Sequence, residues 1–198
     1  MANVDTSKIR FAPNGNVYMA PAVGATLPTE VGDAATAPTG YTSLGYVTDA
    51  GVQITPTVNT EPVNVWQSAV PVLYNVTSAT FSIQATFSET NLSTTELFFG
   101  AQWKEVMSDD ATPVPTGTYR LDLDSTPELQ EISLVVDWSQ GDVKNRVVIP
   151  RAMVQDRGAI SLVRTAAQEY QLTIEALDSA GSLGYVLTTQ DMKEPATP

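Results

Sequence analysis

The chain has 198 residues, of which 42% are hydrophobic, enough to bury the core of one domain. It contains no cysteine and no histidine, which excludes disulfides, thiolate chemistry and every histidine-based catalytic or metal site. The formal net charge of -12 is opposite to that of a surface that binds nucleic acid. The 12 glycines and 13 prolines, set among many Thr, Ser and Val residues, favour short strands joined by turns.

The first predicted elements are a strand and a long loop. The sequence GNVYMAP at residues 15–21 alternates between two faces, as a strand does. Residues 22–40 are small, polar and rich in turn formers, and we expect a flexible surface loop there unless a partner covers it. Neither a signal peptide nor an apolar run approaching the ~18 residues of a membrane span is present, so no membrane partner is expected.

An extended arm is predicted at residues 56–76. It contains the apolar run VNVWQSAVPVLYNV, in which Pro62 and Pro71 argue against a central strand. An exposed apolar edge of this kind needs covering, so we expect a subunit interface here. For Trp66 itself, core packing and a subunit contact remain two open interpretations. The predicted interface residues of the arm are Trp66, Val70, Val72 and Tyr74.

The clearest strand signal lies at residues 77–89, TSATFSIQATFSE. Its apolar residues alternate with hydroxyl and amide side chains, so one face is core and the other is polar without charge. The next segment, TNLSTTELFFG, places Ser93 and Glu96 at the spacing of a capping box and Gly100 at a helix stop. One short helix is therefore predicted at residues 94–99.

The C-terminal half repeats the strand pattern. EISLVVDW and VKNRVVIPRAMV flank a Gly-Asp pair at residues 141–142, which predicts a hairpin. EYQLTIEAL at residues 169–177 is another alternating strand, and residues 184–198 are predicted to form a C-terminal arm without a core of its own. The chain is thus predicted to be a single, mainly β domain over residues 1–198, an antiparallel β-sandwich or barrel with one short α-helix.

The charges are segregated along the sequence. Acidic residues dominate residues 109–142, and basic residues dominate residues 144–164. Pairing within the chain, a solvated face, or two complementary surfaces that dock copy to copy would each explain this distribution. The run DLDSTPE at residues 122–128 could offer carboxylates to calcium, but it lacks the EF-hand glycine and distant glutamate, so no metal and no cofactor are predicted. The residues predicted for copy-to-copy docking are Asp122, Asp124, Arg146 and Arg151.

Three segments in this order resemble the major tail tube proteins of long-tailed bacteriophages, most closely those of phages that infect actinobacteria. They are GNVYMAPAVGATLPTE, GYTSLGYVTDAGVQITPTVNTEPVNVWQSAVPV and SATFSIQATFSETNLSTTELFFG. The resemblance covers about residues 14–100 and continues more loosely to residue 176. Some members of the family carry an immunoglobulin-like C-terminal extension, and the resemblance does not lead us to expect a decorating domain of that kind here.

The resemblance implies a tail-tube fold similar to the tube proteins of contractile injection systems. It implies copies that form hexameric rings, which stack into a tube around a tape-measure protein and meet tail terminator and baseplate or tail-tip proteins. Double-stranded DNA would pass through without specific binding. The protein would be made in the host cytoplasm and reside in the virion tail, with no enzymatic activity.

In such a tube, the polar strand faces are expected to line the bore. A bore rich in lysine would bind DNA at many sites, whereas hydroxyls and scattered carboxylates would not. The predicted lumen-facing residues are Thr80, Ser82, Gln84, Thr86, Gln171, Thr173 and Glu175.

Three other interpretations were weighed. The chain could be a different β-rich virion protein, such as a capsid decoration or tail-completion protein, which electron microscopy would separate from a tube. A ligand-binding β-sandwich, for example one that binds sugar, would usually show a cluster of exposed aromatic residues, and the sequence shows no clear one. An enzyme has the least support because both cysteine and histidine are missing.

Overall fold

A computed structural model describes residues 6–109, 112–126 and 129–192. In this part of the chain, eight strands form one antiparallel sheet and two strands form a second, smaller sheet. A 3-10 turn (Thr6–Lys8) comes first. The elements that follow are β1 (Asn14–Pro21), β2 (Thr42–Ser43), β3 (Val47–Val63), β4 (Leu73–Phe87), α1 (Leu92–Phe99), β5 (Trp103–Met107), β6 (Pro115–Leu121), β7 (Ile132–Gln140), β8 (Val143–Arg157), β9 (Tyr170–Ala176) and β10 (Tyr185–Thr188).

The large sheet curls over on itself to enclose the core. Its strand order is β2-β1-β7-β8-β9-β4-β3, with β10 also paired to β8, while β5 and β6 form the small sheet. Val17 of β1 and Ile83 of β4 lie far apart in this order, yet both belong to one buried cluster. The mainly β, antiparallel fold with one short α-helix that the sequence predicts is confirmed.

The helix α1 packs its apolar side against this core, with Phe98 buried. It begins earlier than predicted, because Asn91 rather than Ser93 is the N-cap: the Asn91 side chain accepts a hydrogen bond from the backbone N–H of Thr94 at 2.8 Å. The capping box based on Ser93 is therefore wrong. The predicted stop is confirmed, since Gly100 adopts the left-handed conformation at φ 68°.

The predicted hairpin of β7 and β8 is also present, with Gln140 paired to Val143 across the turn. β8 is long enough to pair on its other side with two strands, β10 along its first half and β9 along its last residues. The C-terminal arm predicted from residue 184 thus begins as strand β10 within the sheet, and its end, residues 193–198, lies outside the described residues.

The loop at residues 22–40, expected to need a partner, instead packs on its own chain. Ala25 and Leu27 of the loop lie against a second, smaller apolar cluster on the outer side of β1, β7 and β8. Tyr18 donates a hydrogen bond to the carbonyl of Ala34 at 2.6 Å, and Tyr185 donates one to the carbonyl of Pro28 at 2.7 Å. The loop backbone thereby satisfies hydroxyl groups that its own sheet buries.

Candidate functional site

β3 and β4 continue as a two-stranded hairpin well beyond the body of the sheet. Their pairing runs on to Val63 and Leu73, whereas β9 accompanies β4 only from Ser82 onward. The eight residues of β3 beyond Thr55, the partner of Ser82, span roughly 26 Å at about 3.3 Å per residue. We call residues 56–81 the projecting hairpin; the predicted arm at residues 56–76 makes up most of it.

The projecting hairpin is covered with exposed apolar side chains. Trp66 in its terminal loop is 99% exposed, and Val70, Val72 and Tyr74 are 66%, 55% and 61% exposed. Trp66 is therefore not a core residue of its own chain. A lone two-stranded hairpin is marginally stable in water, and a contiguous apolar patch of this kind marks an interaction surface. Further exposed apolar side chains, which the sequence analysis did not single out, are Val58, Val63, Val65, Leu73 and Val76.

The seven predicted lumen-facing residues lie together on one face of the sheet. The register pairs Ser82 with Glu175 and places the polar residues of β4 beside those of β9. On the other face, Ile83 pairs with Ile174, and both are buried. None of the seven side chains is buried in the chain.

Two neighbouring strands extend this face, and sequence reasoning missed them. β3 adds Gln53, Thr55 and Thr57, which the alternation with Val52 and Ile54 could have indicated. β8 adds Met153, opposite Glu175, and Asp156, opposite Thr173; an irregularity in the register between Val154 and Asp156, which the sequence does not reveal, sets the position of Asp156. We call the whole set the polar sheet face: Gln53, Thr55, Thr57, Thr80, Ser82, Gln84, Thr86, Met153, Asp156, Gln171, Thr173 and Glu175.

The polar sheet face carries no positive charge. Its ionisable residues are Asp156 and Glu175, and the remainder are hydroxyl, amide and thioether side chains. These twelve residues present no ammonium or guanidinium group to a polyanion. The nearest basic residue on the same side of β8 is Arg151, two residues before Met153, and it is paired with Glu131.

The structure corrects the prediction that Arg146 docks onto another copy. The β7–β8 register sets Arg146 opposite Asp137, and two hydrogen bonds of 2.7 and 2.6 Å join the guanidinium to the carboxylate. The two residues are only 4% and 1% exposed. Arg146 also donates to the carbonyl of Glu30 at 2.8 Å, which ties the loop at residues 22–40 to the sheet. The bonds to Asp137 raise the pKa of Arg146, so its charge is permanent and already paired inside its own chain.

The other predicted docking residues lie at the surface. Arg151 makes a two-pronged pair with Glu131 at 3.0 and 2.8 Å, and the bonds from Arg151 lower the pKa of Glu131. Asp122 accepts a hydrogen bond from Arg120 at 2.6 Å, and Asp124 is exposed. Asp122, Arg146 and Arg151 thus each have an oppositely charged partner within the same chain. A docking role for Asp122, Asp124 and Arg151 stays a prediction.

Residues 6–109, 112–126 and 129–192 contain no group of three carboxylates that could hold a metal ion. Glu128, the last carboxylate of the run weighed for calcium, lies outside those ranges. In the same ranges, no helix combines the length and the apolar character needed to cross a membrane.

Comparison with known proteins places the chain in a family. The model of the phage tail tube protein family matches residues 1–198, the whole chain. The chain is also similar to a protein in the virion of a native gene transfer agent particle, with 11% identity, a TM-score of 0.41, and 76% of this chain and 89% of that chain covered. It is similar as well to a protein in the tail of an empty gene transfer agent particle of C6 symmetry, with 11% identity, a TM-score of 0.41, and 71% and 84% covered.

No curated protein matches the chain in sequence. The family match extends over every element described above, including the projecting hairpin and the polar sheet face. The chain belongs to the phage tail tube protein family, whose members are structural proteins of the virion and not enzymes.

Proposed function

We propose that copies of this chain form hexameric rings that stack into a tail tube, and that double-stranded DNA passes through its bore during ejection. The observation that carries this proposal is the polar sheet face, on which four neighbouring strands bring together mostly uncharged side chains and two carboxylates, with no Lys or Arg among the twelve residues. In the tube, this face lines the bore.

A conduit for DNA must not bind its cargo. Every lysine or arginine that neutralises a phosphate releases a counterion, and that release is the main source of non-specific affinity for DNA. Asp156 and Glu175 repel phosphate weakly, and the surrounding hydroxyls and amides offer only exchangeable hydrogen bonds. The bore therefore offers double-stranded DNA no strong binding site in any ring.

In this proposal, the free edge of β3 joins neighbouring copies into a ring, and the projecting hairpin joins one ring to the next. In the described part of the chain, β3 is an end strand of the sheet, so one edge of a strand of 17 residues is left without a partner strand. Such an edge is covered by pairing with another chain, which would join neighbours around a ring. The projecting hairpin carries its apolar side chains away from the sheet, toward the next ring.

The resemblance to the tail tube proteins of long-tailed phages supports the remaining partners. A tape-measure protein fills the bore before DNA enters, and terminator and baseplate or tail-tip proteins close the two ends. The proposal includes kinship with the tail tube proteins of phages that infect actinobacteria, which the three segments quoted above resemble. The chain is made in the host cytoplasm and then incorporated into the virion.

Electron microscopy of the concentrated protein tests the assembly. We expect hollow tubes whose end views show sixfold symmetry. Material that stays as compact single particles at every concentration and with every tail-tip preparation would refute the proposal.

The charge of the bore is tested with Ser82→Lys combined with Gln84→Lys in the virion. Each ring would gain 12 positive charges if six copies each contribute two, so DNA ejection should slow markedly while the tubes stay intact. Thr26→Lys with Thr29→Lys is the matched control, because it adds the same charge to exposed positions of the loop at residues 22–40, which packs over β1, β7 and β8 and contributes no residue to the polar sheet face. Equal ejection rates for the two variants would place the polar sheet face outside the bore.

A further inference from the structure

We infer that the end of the projecting hairpin, with Trp66 as its anchor, docks into an apolar cleft at the opposite end of the next copy. This inference rests on the proposed tube and names the receiving surface of its stacking contact. The cleft has a volume of about 310 Å³ and is lined by Thr90, Asn91, Leu92, Thr95, Trp103 and Tyr119.

The floor of the cleft is fixed by the junction between α1 and β5. Trp103 is partly buried, and its indole N–H donates to the hydroxyl of Thr95 at 2.8 Å. The backbone N–H of Trp103 donates to the carboxylate of Glu96 at 2.9 Å, which holds β5 against the helix. Leu92 and Tyr119 at the rim are each 61% exposed, so their apolar surface is available for contact. The cleft is thus a shallow, mainly apolar depression with two uncovered contact residues.

The hairpin and the cleft lie at opposite ends of β4. The terminal loop of the hairpin leads into Leu73 at the start of the strand, and Thr90 follows shortly after Phe87 at its end. A strand of 15 residues spans roughly 50 Å at about 3.3 Å per residue. The end of the hairpin and the cleft thus lie at the two ends of one axis. When a second copy is displaced along that axis, the hairpin end of one copy meets the cleft of the other. Such a head-to-tail contact does not close on itself and generates a filament.

The two surfaces also match in chemistry. Residues 62–76, which include the terminal loop, contain no charged residue, and neither does the lining of the cleft. Tryptophan is the residue most often found as the central anchor of an interface, seated in a pocket and surrounded by weaker contacts. A second copy of the chain is therefore the occupant of the cleft, because its Trp66 is an exposed anchor of this kind.

The anchor alone is not the whole interface. A buried aromatic side chain removes about 150–250 Å² from water, whereas a stable interface buries about 800 Å² on each partner. The exposed apolar flanks of the hairpin, among them Val70 and Val72, provide area beyond the anchor.

Cysteine cross-linking tests the contact, since the natural chain contains no cysteine. Gln67→Cys lies beside Trp66, and Leu92→Cys lies at the rim of the cleft; the two positions stand at opposite ends of β4, so they cannot pair within one chain. Combined in one chain and oxidised after assembly, they should give a ladder of covalent multimers on a non-reducing gel. The matched control combines Gln67→Cys with Val23→Cys, which lies in the loop at residues 22–40 and is 91% exposed. It should give no multimer larger than a dimer, which is the largest product that Gln67→Cys alone can form.

The outcomes separate the docking contact from the tube. Tubes with a ladder only from the cleft pair establish the contact. Tubes without that ladder, or with equal ladders from both pairs, overturn the contact and leave the proposed function standing. A failure of every variant and of the natural chain to form tubes overturns both.

The energetic role of the anchor is tested with Trp66→Ala and Tyr119→Ala. Each should raise the critical concentration for tube formation at least tenfold, about 1.4 kcal/mol. The increase for the double variant should be smaller than the product of the two single increases, because both substitutions remove the same contact. Val23→Ala, an equally exposed apolar truncation elsewhere, should leave the critical concentration unchanged. Effects of Trp66→Ala and Tyr119→Ala that multiply independently would show that the two residues do not meet.

Discussion

Two segments that were both expected to rely on a partner behave differently in the structure. The loop at residues 22–40 is small, polar and rich in turn formers, whereas the projecting hairpin carries an apolar run beside prolines. The loop lies on its own sheet, where Tyr18, Arg146 and Tyr185 each donate a hydrogen bond to one of its carbonyl groups. The hairpin has only its own two strands, and its apolar side chains face solvent.

The difference shows what determines whether a segment belongs to its own chain. Buried hydroxyl and guanidinium groups need acceptors, and an unsatisfied one costs roughly 1–3 kcal/mol or more. The loop supplies those acceptors, so the sheet and the loop stabilise each other. The hairpin offers exposed apolar area instead, and that area is stabilised only when another surface removes it from water.

The largest expected effect follows removal of the hairpin end. Residues 59–78 are replaced by Asn-Gly, which joins the paired residues Val58 and Ala79 with a two-residue turn. None of the removed side chains is buried, so the unfolding midpoint of the single chain should stay within a few degrees of the natural one. Tube formation should be abolished, as judged by electron microscopy and sedimentation. Normal tubes from this variant would show that stacking does not need the hairpin.

The next largest effect is expected for Asp137→Ala, which leaves the buried guanidinium of Arg146 without its carboxylate. The free energy of unfolding should fall by about 3–5 kcal/mol, measured by urea unfolding. The loop should also become sensitive to protease, because Arg146 holds the carbonyl of Glu30. Adding Arg146→Met to Asp137→Ala should recover much of the loss, since no buried charge then remains.

Glu131→Ala is the matched control for that experiment. Glu131, directly before β7, pairs with Arg151 of β8 in the same two-pronged geometry, but this pair lies at the surface. Its removal should leave the unfolding midpoint nearly unchanged, because solvent screens an exposed pair. A loss as large as that of Asp137→Ala would contradict the role assigned to burial.

The smallest effect is a dependence on alkaline pH. Burial raises the pKa values of Tyr18, Tyr41 and Tyr185 above the ordinary 10.0. The folded state then holds protons that the unfolded state has released, so stability is fully present below about pH 10 and falls as pH rises through the folded pKa values. Tyr18→Phe should cost about 1 kcal/mol at neutral pH through its lost hydrogen bond and should make the alkaline decline shallower. Unfolding series across this pH range would check it, and a decline of unchanged steepness would mean that Tyr18 does not titrate with folding.

The alternating strands were predictable, because apolar residues at every second position show directly which face of a strand is buried. Thr77–Glu89 and the strand through Tyr170 gave the correct core and polar faces, and the register then brought the two polar faces together. The place of Asp156 of β8 on that face was not predictable, because it depends on an irregularity in pairing. The pairing of Arg146 with Asp137 required knowing which residues face each other across a hairpin, and charge counts along a sequence do not contain that information.

The docking cleft could not be predicted either. Its lining comes from the segment before α1, the helix itself and both strands of the small sheet, and only the fold brings them together. The hairpin was predictable as an arm, since exposed apolar residues beside prolines favour an edge. Its length was not, because Pro56 and Pro62 proved compatible with an end strand of the sheet.

Hydrogen–deuterium exchange on the same chain, as monomer and as tube, tests the contrast between the two segments most directly. Amides of the projecting hairpin should exchange quickly in the monomer and become protected in the tube. The amides of Ala22 and Tyr41, which are hydrogen-bonded within the chain at the two ends of the loop, should be equally protected in both states. Protection of the hairpin already in the monomer, or protection of the loop only in the tube, would contradict it.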